Sequence, residues 1–372
     1  MNIGILQTAY KKSSDYGAFY NVQEIGLGRA LASCGHVVTL YKGVDGAPSE
    51  RTECNNLLTI KLISLKYIGI NGLIDTNILD DSLDVLIYFC DTQLKVPSVY
   101  RWCIRHNIRF YPYVGVIESH SPNRLKRILM DIISHRNINI YQKCNILTKT
   151  PNISSTLTNL GCNNVTMLPV GLDETVMHSV DLPAIPLSHS IDSLLFIGRM
   201  EPEKQPLEML HIYEELLSVN HQLKLTMIGD GYMYNEVENK SLSIAQKHAL
   251  TNDQISIIKK IKYEDMCNFY LSHSCYVNLN KVEILGMSIL EAMYYGCPVF
   301  ALKAPGPDFL LSDNTDTSYG YIAQDTDELT DLLRKYVVPN APVEDINTRI
   351  INANKRVHKH FTWTSIVNNL EL

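Results

Sequence analysis

KVEILGMSILEAMYYGCPVF, Lys281–Phe300, is mostly apolar, yet it carries two carboxylates, Glu283 and Glu291, on either side of Gly286. An ionised carboxylate inside a core is costly unless it is paired or hydrogen-bonded. The flanks supply the frame. CYVNLN (275–280) and CPVFAL (297–302) are short apolar runs that predict strands, and 287–295 between them predicts a helix. Gly296 suits the helix C-cap, and Pro298 opens the next strand. Ser288-x-x-Glu291 matches a capping box, which starts the helix at about Met287 to Ile289. Capping would account for Glu291 on structural grounds alone. Glu283, on the loop after CYVNLN, has no such account.

The same alternation runs along the whole chain. NIGIL (2–6), HVVTLY (36–41), SLDVLIYFC (82–90) and RFYPYVGVI (109–117) predict strands, and VQEIGLGRALASCG (22–35) predicts a helix that ends at Gly35. The pattern restarts with SLLFIG (193–198), LKLTMIG (223–229) and QISII (254–258), with a helix over 205–219. Repeated βαβ units imply parallel sheets covered by helices. The expected fold class is therefore α/β, with two doubly wound Rossmann-like domains facing across a cleft. Residues 1–180 form the first domain, 190–352 the second, and 353–372 a C-terminal helix that packs back toward the first. The boundary stretch VDLPAIPLSHSID (180–192) has Pro183, Pro186 and little periodicity. In such sheets ligands bind beyond the carboxyl ends of the strands.

Composition narrows the class. The 372 residues are 45% hydrophobic and 19% charged, with a net charge of −6, which excludes a nucleic-acid binder as a whole-chain reading. The nine cysteines form no CxxC pair, which fits free thiols in a reducing compartment. MNIGILQTAY has no basic region followed by a long apolar stretch, and no run of about 18 apolar residues occurs, so a cytoplasmic protein is expected. Charge is uneven: 91–150 holds ten basic residues against three acidic. Within it, NRLKRILMDIISHRN (123–137) sets Leu125, Ile128, Leu129, Ile132 and Ile133 at helical spacing beside Arg124, Lys126, Arg127 and Arg136. The expected reading is a surface helix that packs its apolar stripe on the sheet. The alternative is a basic amphipathic helix in peripheral contact with anionic lipid at the inner face of a membrane.

A second loop carries cations. In LLFIGRMEPEKQP (194–206) a strand ends at Gly198, and Arg199 and Lys204 follow. Two cations held at a strand end suit a diphosphate; the alternative is a solvated loop with Lys204 paired to Glu201 or Glu203. A helix N-terminus behind a glycine also binds phosphate, which adds the backbone N–H groups of Gly286, Met287 and Ser288. Asp325-Thr326-Asp327 reads as a helix cap. Gly26-Leu27-Gly28 lies inside a helix and lacks the rest of a dinucleotide fingerprint. No metal-ligand spacing occurs, so neither metal nor cofactor is expected.

Taken together, Arg199 with Lys204, the Glu283-x7-Glu291 pair around Gly286, MIGDGYMYNEVE (227–238) and FTWTSI (361–366) resemble retaining glycosyltransferase family 4, the glycosyl transferases group 1, built on the GT-B fold. The resemblance covers the second half nearly end to end and the first half loosely. Gly17, in SDYGAFY, stands where the family often has a Gly-Gly pair. His120, in YPYVGVIESHSP, stands near the slot where family members present a cleft histidine. Gly115 is the other candidate for that slot, and a lone loop histidine is more often a surface residue. Lys259-Lys260 occupies a loop near the nucleotide base where a glycine is common, so the base stays open.

The resemblance implies transfer of a sugar from a nucleotide diphosphate sugar, UDP-linked in the commonest case, to an acceptor hydroxyl with retention of configuration. The acceptor would be a glycan, a lipid-linked glycan or a protein. The resemblance places Arg199 and Lys204 on the diphosphate, Glu291 on the ribose hydroxyls and Glu283 on the donor sugar, and lets the leaving phosphate take the acceptor's proton. Gly17 would let its loop approach the donor closely. A sugar-nucleotide epimerase or phosphorylase on the same scaffold, or a partner-dependent pseudoenzyme, remains an alternative.

Overall fold

Short, mostly apolar runs form the central strands; VLIYF (85–89) and CYVN (275–278) are buried throughout, as expected of sheets covered on both faces. The computed structural model describes residues 1–10, 22–117, 124–177, 190–313, 317–370 and 372. Its contacts divide the chain into two units, Met1–Asp173 with Thr362–Leu372, and Glu174–Phe361. The chain thus changes unit at Asp173–Glu174, ahead of the proline-bearing stretch. It returns at Phe361–Thr362, so the helix Glu344–His360 stays with the second unit.

In the first unit the strands are β1 (Asn2–Gln7), β2 (Val37–Val44), β3 (Ser49–Glu53), β4 (Leu58–Ser64), the short pair β5 (Tyr67–Ile68) and β6 (Asn71–Gly72), β7 (Val85–Phe89), β8 (Arg109–Val114), β9 (Ile146–Thr148) and β10 (Val165–Met167). Eight of them form one sheet in the order β10-β9-β8-β7-β1-β2-β4-β3, parallel except for the antiparallel β3–β4 edge. The helix Gln23–Ser33 ends as predicted, with Gly35 at φ +82, a conformation glycine adopts without strain.

The second unit contributes β11 (Ser193–Ile197), β12 (Lys224–Ile228), β13 (Ile255–Ile258), β14 (Cys275–Asn278), β15 (Val299–Leu302) and β16 (Tyr321–Ala323). They form a wholly parallel sheet in the order β13-β12-β11-β14-β15-β16. This is the doubly wound order in which the direction of winding reverses between the first and fourth strands, here β11 and β14. The first sheet reverses in the same way between β1 and β7. The loops that leave the carboxyl ends of these four strands are therefore where the topology opens room for a ligand. In the first unit the described part of these loops contains Asp91; in the second they contain Arg199, Lys204 and Glu283.

Two short sequence features resolve as structural. Asp325 caps the helix Thr326–Val337: its side chain accepts from the Glu328 amide at 2.9 Å, and the Glu328 carboxylate accepts from the Gln324 amide at 2.7 Å. Gly26 lies in the helix Gln23–Ser33 because a Cβ there would sit 2.4 Å from the indole of Trp363.

Candidate functional site

The loop after β11 is held against the loop after β12. The amide of Gly198 donates to the Ile228 carbonyl at 3.0 Å, and that of Met200 to the Asp230 carbonyl at 2.9 Å. Glycine is forced at the crossing, because a Cβ on Gly229 would come within 1.7 Å of the Gly198 carbonyl oxygen and one on Gly231 within 2.4 Å of that of Met200. This fixed loop carries Lys204 at the end of a single tight turn, Pro202–Lys204. Its ammonium donates to Glu283 Oε2 at 2.6 Å, with the two side chains 21% and 16% exposed.

Glu283 is anchored from three sides. Its Oε2 also accepts from Asn280 Nδ2 at 3.0 Å, its amide bonds the Asn280 carbonyl at 3.3 Å, and its own carbonyl accepts from the Gly306 amide at 2.7 Å. The Asn280 side chain meanwhile accepts from the Val282 amide at 3.1 Å, and the Asn280 amide donates to Asn278 Oδ1 at 3.1 Å. A chain of side-chain-to-backbone bonds thus shapes the whole turn from β14 to Glu283. Gly286, at φ +92, then turns the chain into the helix Met287–Tyr294, whose N-terminus has no side-chain cap.

The capping box does not form. Ser288 Oγ bonds the Tyr276 hydroxyl at 2.7 Å instead of an N-terminal amide. Glu291 is buried on the inner side of the helix, where Oε2 accepts from the Tyr270 hydroxyl at 2.9 Å and Oε1 from the Tyr263 hydroxyl at 3.3 Å. The reason is positional: the helix begins one residue before Ser288, so Ser288 is already inside its first turn and cannot act as N-cap. Burial pushes the Glu291 carboxyl up to about 7, against the opposing pull of the two phenols.

The expected pairing of Lys204 with Glu201 or Glu203 is replaced in the same way. Glu203 takes Arg199 at 2.9 Å, with the arginine side chain 64% exposed, and this frees Lys204 to reach Glu283. The structure therefore brings Lys204, Glu283 and the Gly286 turn together. Arg199 shares their loop with its guanidinium turned to the surface. Lys259, on the loop after β13, approaches Asp230 at 3.6 Å and lies 5.1 Å from the centre of the Tyr234 ring. Gly17 and His120 lie outside the described residues. No group of three His, Cys, Asp or Glu that could hold a metal ion occurs among the described residues.

Several site residues had no voice in the motif reading. Tyr263 and Tyr270 hold Glu291, and Asn278 and Asn280 shape the turn; the seven-residue spacing of the tyrosines was the available signal. In the first unit, Asp91 after β7 accepts from the amides of Gly115 at 2.6 Å and Val116 at 3.1 Å and from Lys149 Nζ at 3.2 Å. That knot joins the ends of β7, β8 and β9 beside the reversal point of the first sheet. A Cβ on Gly115 would meet the Lys149 side chain at 2.3 Å, so this glycine serves the knot.

Residues 188–355 match the family model described as glycosyl transferases group 1. A curated relative, alpha-monoglucosyldiacylglycerol synthase of Streptococcus pneumoniae, is 21% identical over 186 residues; the alignment covers 48% of this chain and 40% of that protein, so the chain spans well under two thirds of its relative. Among solved structures, sucrose-phosphate synthase from Thermosynechococcus elongatus superposes with a TM-score of 0.70 at 16% identity over 99% of this chain and 96% of that one. Anabaena HepE, in complex with UDP and glucose, gives 0.66 at 11% identity over 99% of both chains. Residues 188–355 are thus similar to the glycosyl transferases group 1 family, and the fold of the chain is that of the GT-B glycosyltransferases.

Proposed function

We propose that this protein is a retaining glycosyltransferase that moves a hexosyl group from a nucleotide diphosphate sugar, UDP-linked, to an acceptor hydroxyl in polysaccharide, lipid-linked glycan or glycoconjugate synthesis. The observation that carries the reading is the Lys204–Glu283 pair beside the uncapped helix that Gly286 opens, at the reversal point of the second sheet. As the glycosidic bond breaks, negative charge grows on the leaving diphosphate. Fixed donors aimed at that charge lower the barrier without reorganising. Lys204, Arg199 and the backbone amides at Gly286 to Ser288 are those donors in this reading, and no metal is required.

Glu283 is suited to orient the sugar. Both of its side-chain donors, Lys204 and Asn280, go to Oε2, which leaves Oε1 to accept from donor hydroxyls. Glu291 accepts from the Tyr263 and Tyr270 hydroxyls and is the candidate for the ribose hydroxyls, which would take over as its donors. With the leaving phosphate accepting the acceptor's proton on the same face, no protein nucleophile is needed, and configuration is kept. Gly17 and His120 keep the roles that the resemblance implies, close approach to the donor and a place in the site. The acceptor class follows no single observation; the location proposed is the cytoplasm.

A thermal-shift panel of UDP-glucose, UDP-N-acetylglucosamine and GDP-mannose tests the reading. A ligand that binds only the native state raises the melting temperature, and a concentration 100-fold above Kd adds about 2.7 kcal/mol. A shift with at least one donor, abolished by Lys204→Ala, is expected. A flat response to all three would overturn the assignment. Incubating the donor alone separates the alternatives, since an epimerase changes the sugar with no acceptor present.

A further inference from the structure

We propose that the helix Arg124–Tyr141 is a docking surface for an anionic lipid bilayer. Its inward face is set by specific bonds. Ser134 Oγ donates to the Ile117 carbonyl at 2.6 Å, Asn137 Nδ2 to that of Gln93 at 3.0 Å, and the Tyr141 hydroxyl to that of Asp91 at 3.2 Å. Ile133, Ser134, Asn137, Ile138 and Tyr141 are all buried on this side. The bonds fix the rotation of the helix about its axis, and the rotation decides what faces outward.

What faces outward is apolar. Leu125, Ile128, Leu129 and Ile132 are 79%, 47%, 58% and 61% exposed. At 3.6 residues per turn these positions form one stripe nearly opposite the buried face. The expectation that the stripe packs on the sheet is therefore overturned for four of its five residues; Ile133 alone turns inward. A helix that only covers a sheet presents polar residues to water, so the outer stripe serves something other than the core.

Charge selects the occupant. Arg136 is exposed on the stripe's side of this helix, and Arg124 and Arg127 are exposed at its N-terminal end. The helix Val96–Arg105 packs beside it and adds the exposed Arg101 and Arg105, with Ile104 62% exposed. A second copy of this chain would set the same cations against one another, whereas anionic headgroups neutralise them while the acyl boundary takes up the isoleucines and leucines. Among the described residues no helix is long and apolar enough to cross a membrane, so the contact would be peripheral.

Co-sedimentation of the full chain with vesicles tests this, and it needs no nucleotide sugar, so its outcome is separate from that of the donor panel. The wild type should pellet with phosphatidylglycerol–phosphatidylcholine vesicles and remain in the supernatant with phosphatidylcholine alone. Ile128→Glu with Leu129→Glu should weaken binding at least tenfold without changing the melting temperature, because both side chains are already solvent-facing. Arg124→Glu with Arg127→Glu should cost roughly fivefold per charge removed at an anionic surface. Failure of the wild type to pellet would overturn the proposal, as would unchanged binding by the Ile128/Leu129 variant. A concentration-dependent dimer that this variant abolishes, with no vesicle binding, would give the face to a second copy and likewise refute it.

Discussion

Glu283 and Glu291 sit eight residues apart in one segment, and their surroundings differ. Glu283 is held by a cation and an amide near the surface, Glu291 by two phenols on the buried side of its helix. Glu283→Ala and Lys204→Ala should each lower kcat by about a hundredfold or more, the scale of losing a donor aimed at transition-state charge, while circular dichroism and the melting curve stay close to wild type. Near-wild-type turnover in either variant would remove that residue from the machinery. Glu291 predicts a pH effect. Its carboxyl is raised from 4.5 to about 7 in the folded chain, so between those values the native state keeps a proton that the unfolded chain has released. Its contribution to stability is present below pH 4.5, is lost as pH rises toward 7, and changes no further above that. Glu291→Gln should flatten this slope and melt higher than wild type at pH 8, by on the order of 3 kcal/mol at most. A parallel pH–stability profile for the two proteins would contradict the burial argument.

At the scale of elements, the strands that carry the site were legible because each is a short, mostly apolar run between turn residues. Both helix-ending glycines, Gly35 and Gly296, take the positive φ that their positions required. Other strands differ. No strand was expected between 45 and 80, although β4 (LTIKLIS) alternates apolar and polar residues; the exposed β3, which pairs only with β4, carries no apolar residue at all. β9, β10 and β16 are three residues each, too short for any periodicity. The glycine-rich end of β12 makes a backbone prediction. Gly229→Ala puts a methyl group 1.7 Å from the Gly198 carbonyl oxygen, so the β11 and β12 loops must part. A loss of about 2 kcal/mol or more is expected, together with loss of the donor-induced thermal shift, because the displaced loop is the one that carries Lys204.

For the molecule as a whole, the chain leaves its first unit after Asp173 and comes back to it for its last turn of helix. Asp173 is tied at 2.7 Å to Arg29, which also holds Glu53 at 2.7 Å. The returning segment is seated by Trp363, 1% exposed, whose amide donates to the Leu172 carbonyl at 2.9 Å and whose indole lies against Gly26. Trp363→Ala should therefore destabilise the first unit by about 3–5 kcal/mol, as removal of a buried tryptophan does, and leave the second unit nearly untouched. Calorimetry or denaturant unfolding should show one of two transitions moving. A shift of the second unit's transition instead would contradict the division.

Legible in the sequence alone were the alternation of the central strands and their helices, the doubly wound class, and the loops on which Arg199, Lys204 and Glu283 stand. All of these are written in local periodicity and in turn chemistry that acts within a few residues. It took the folded structure to show that Lys204 meets Glu283, 79 positions further along the chain, that Glu291 turns to two tyrosines and not to its own helix end, and that the stripe Leu125–Ile132 faces outward. Those outcomes depend on which strands lie side by side and on how each helix is rotated about its axis. Pairing order and rotation are fixed by long-range hydrogen bonds and packing, and no short window of sequence contains both partners.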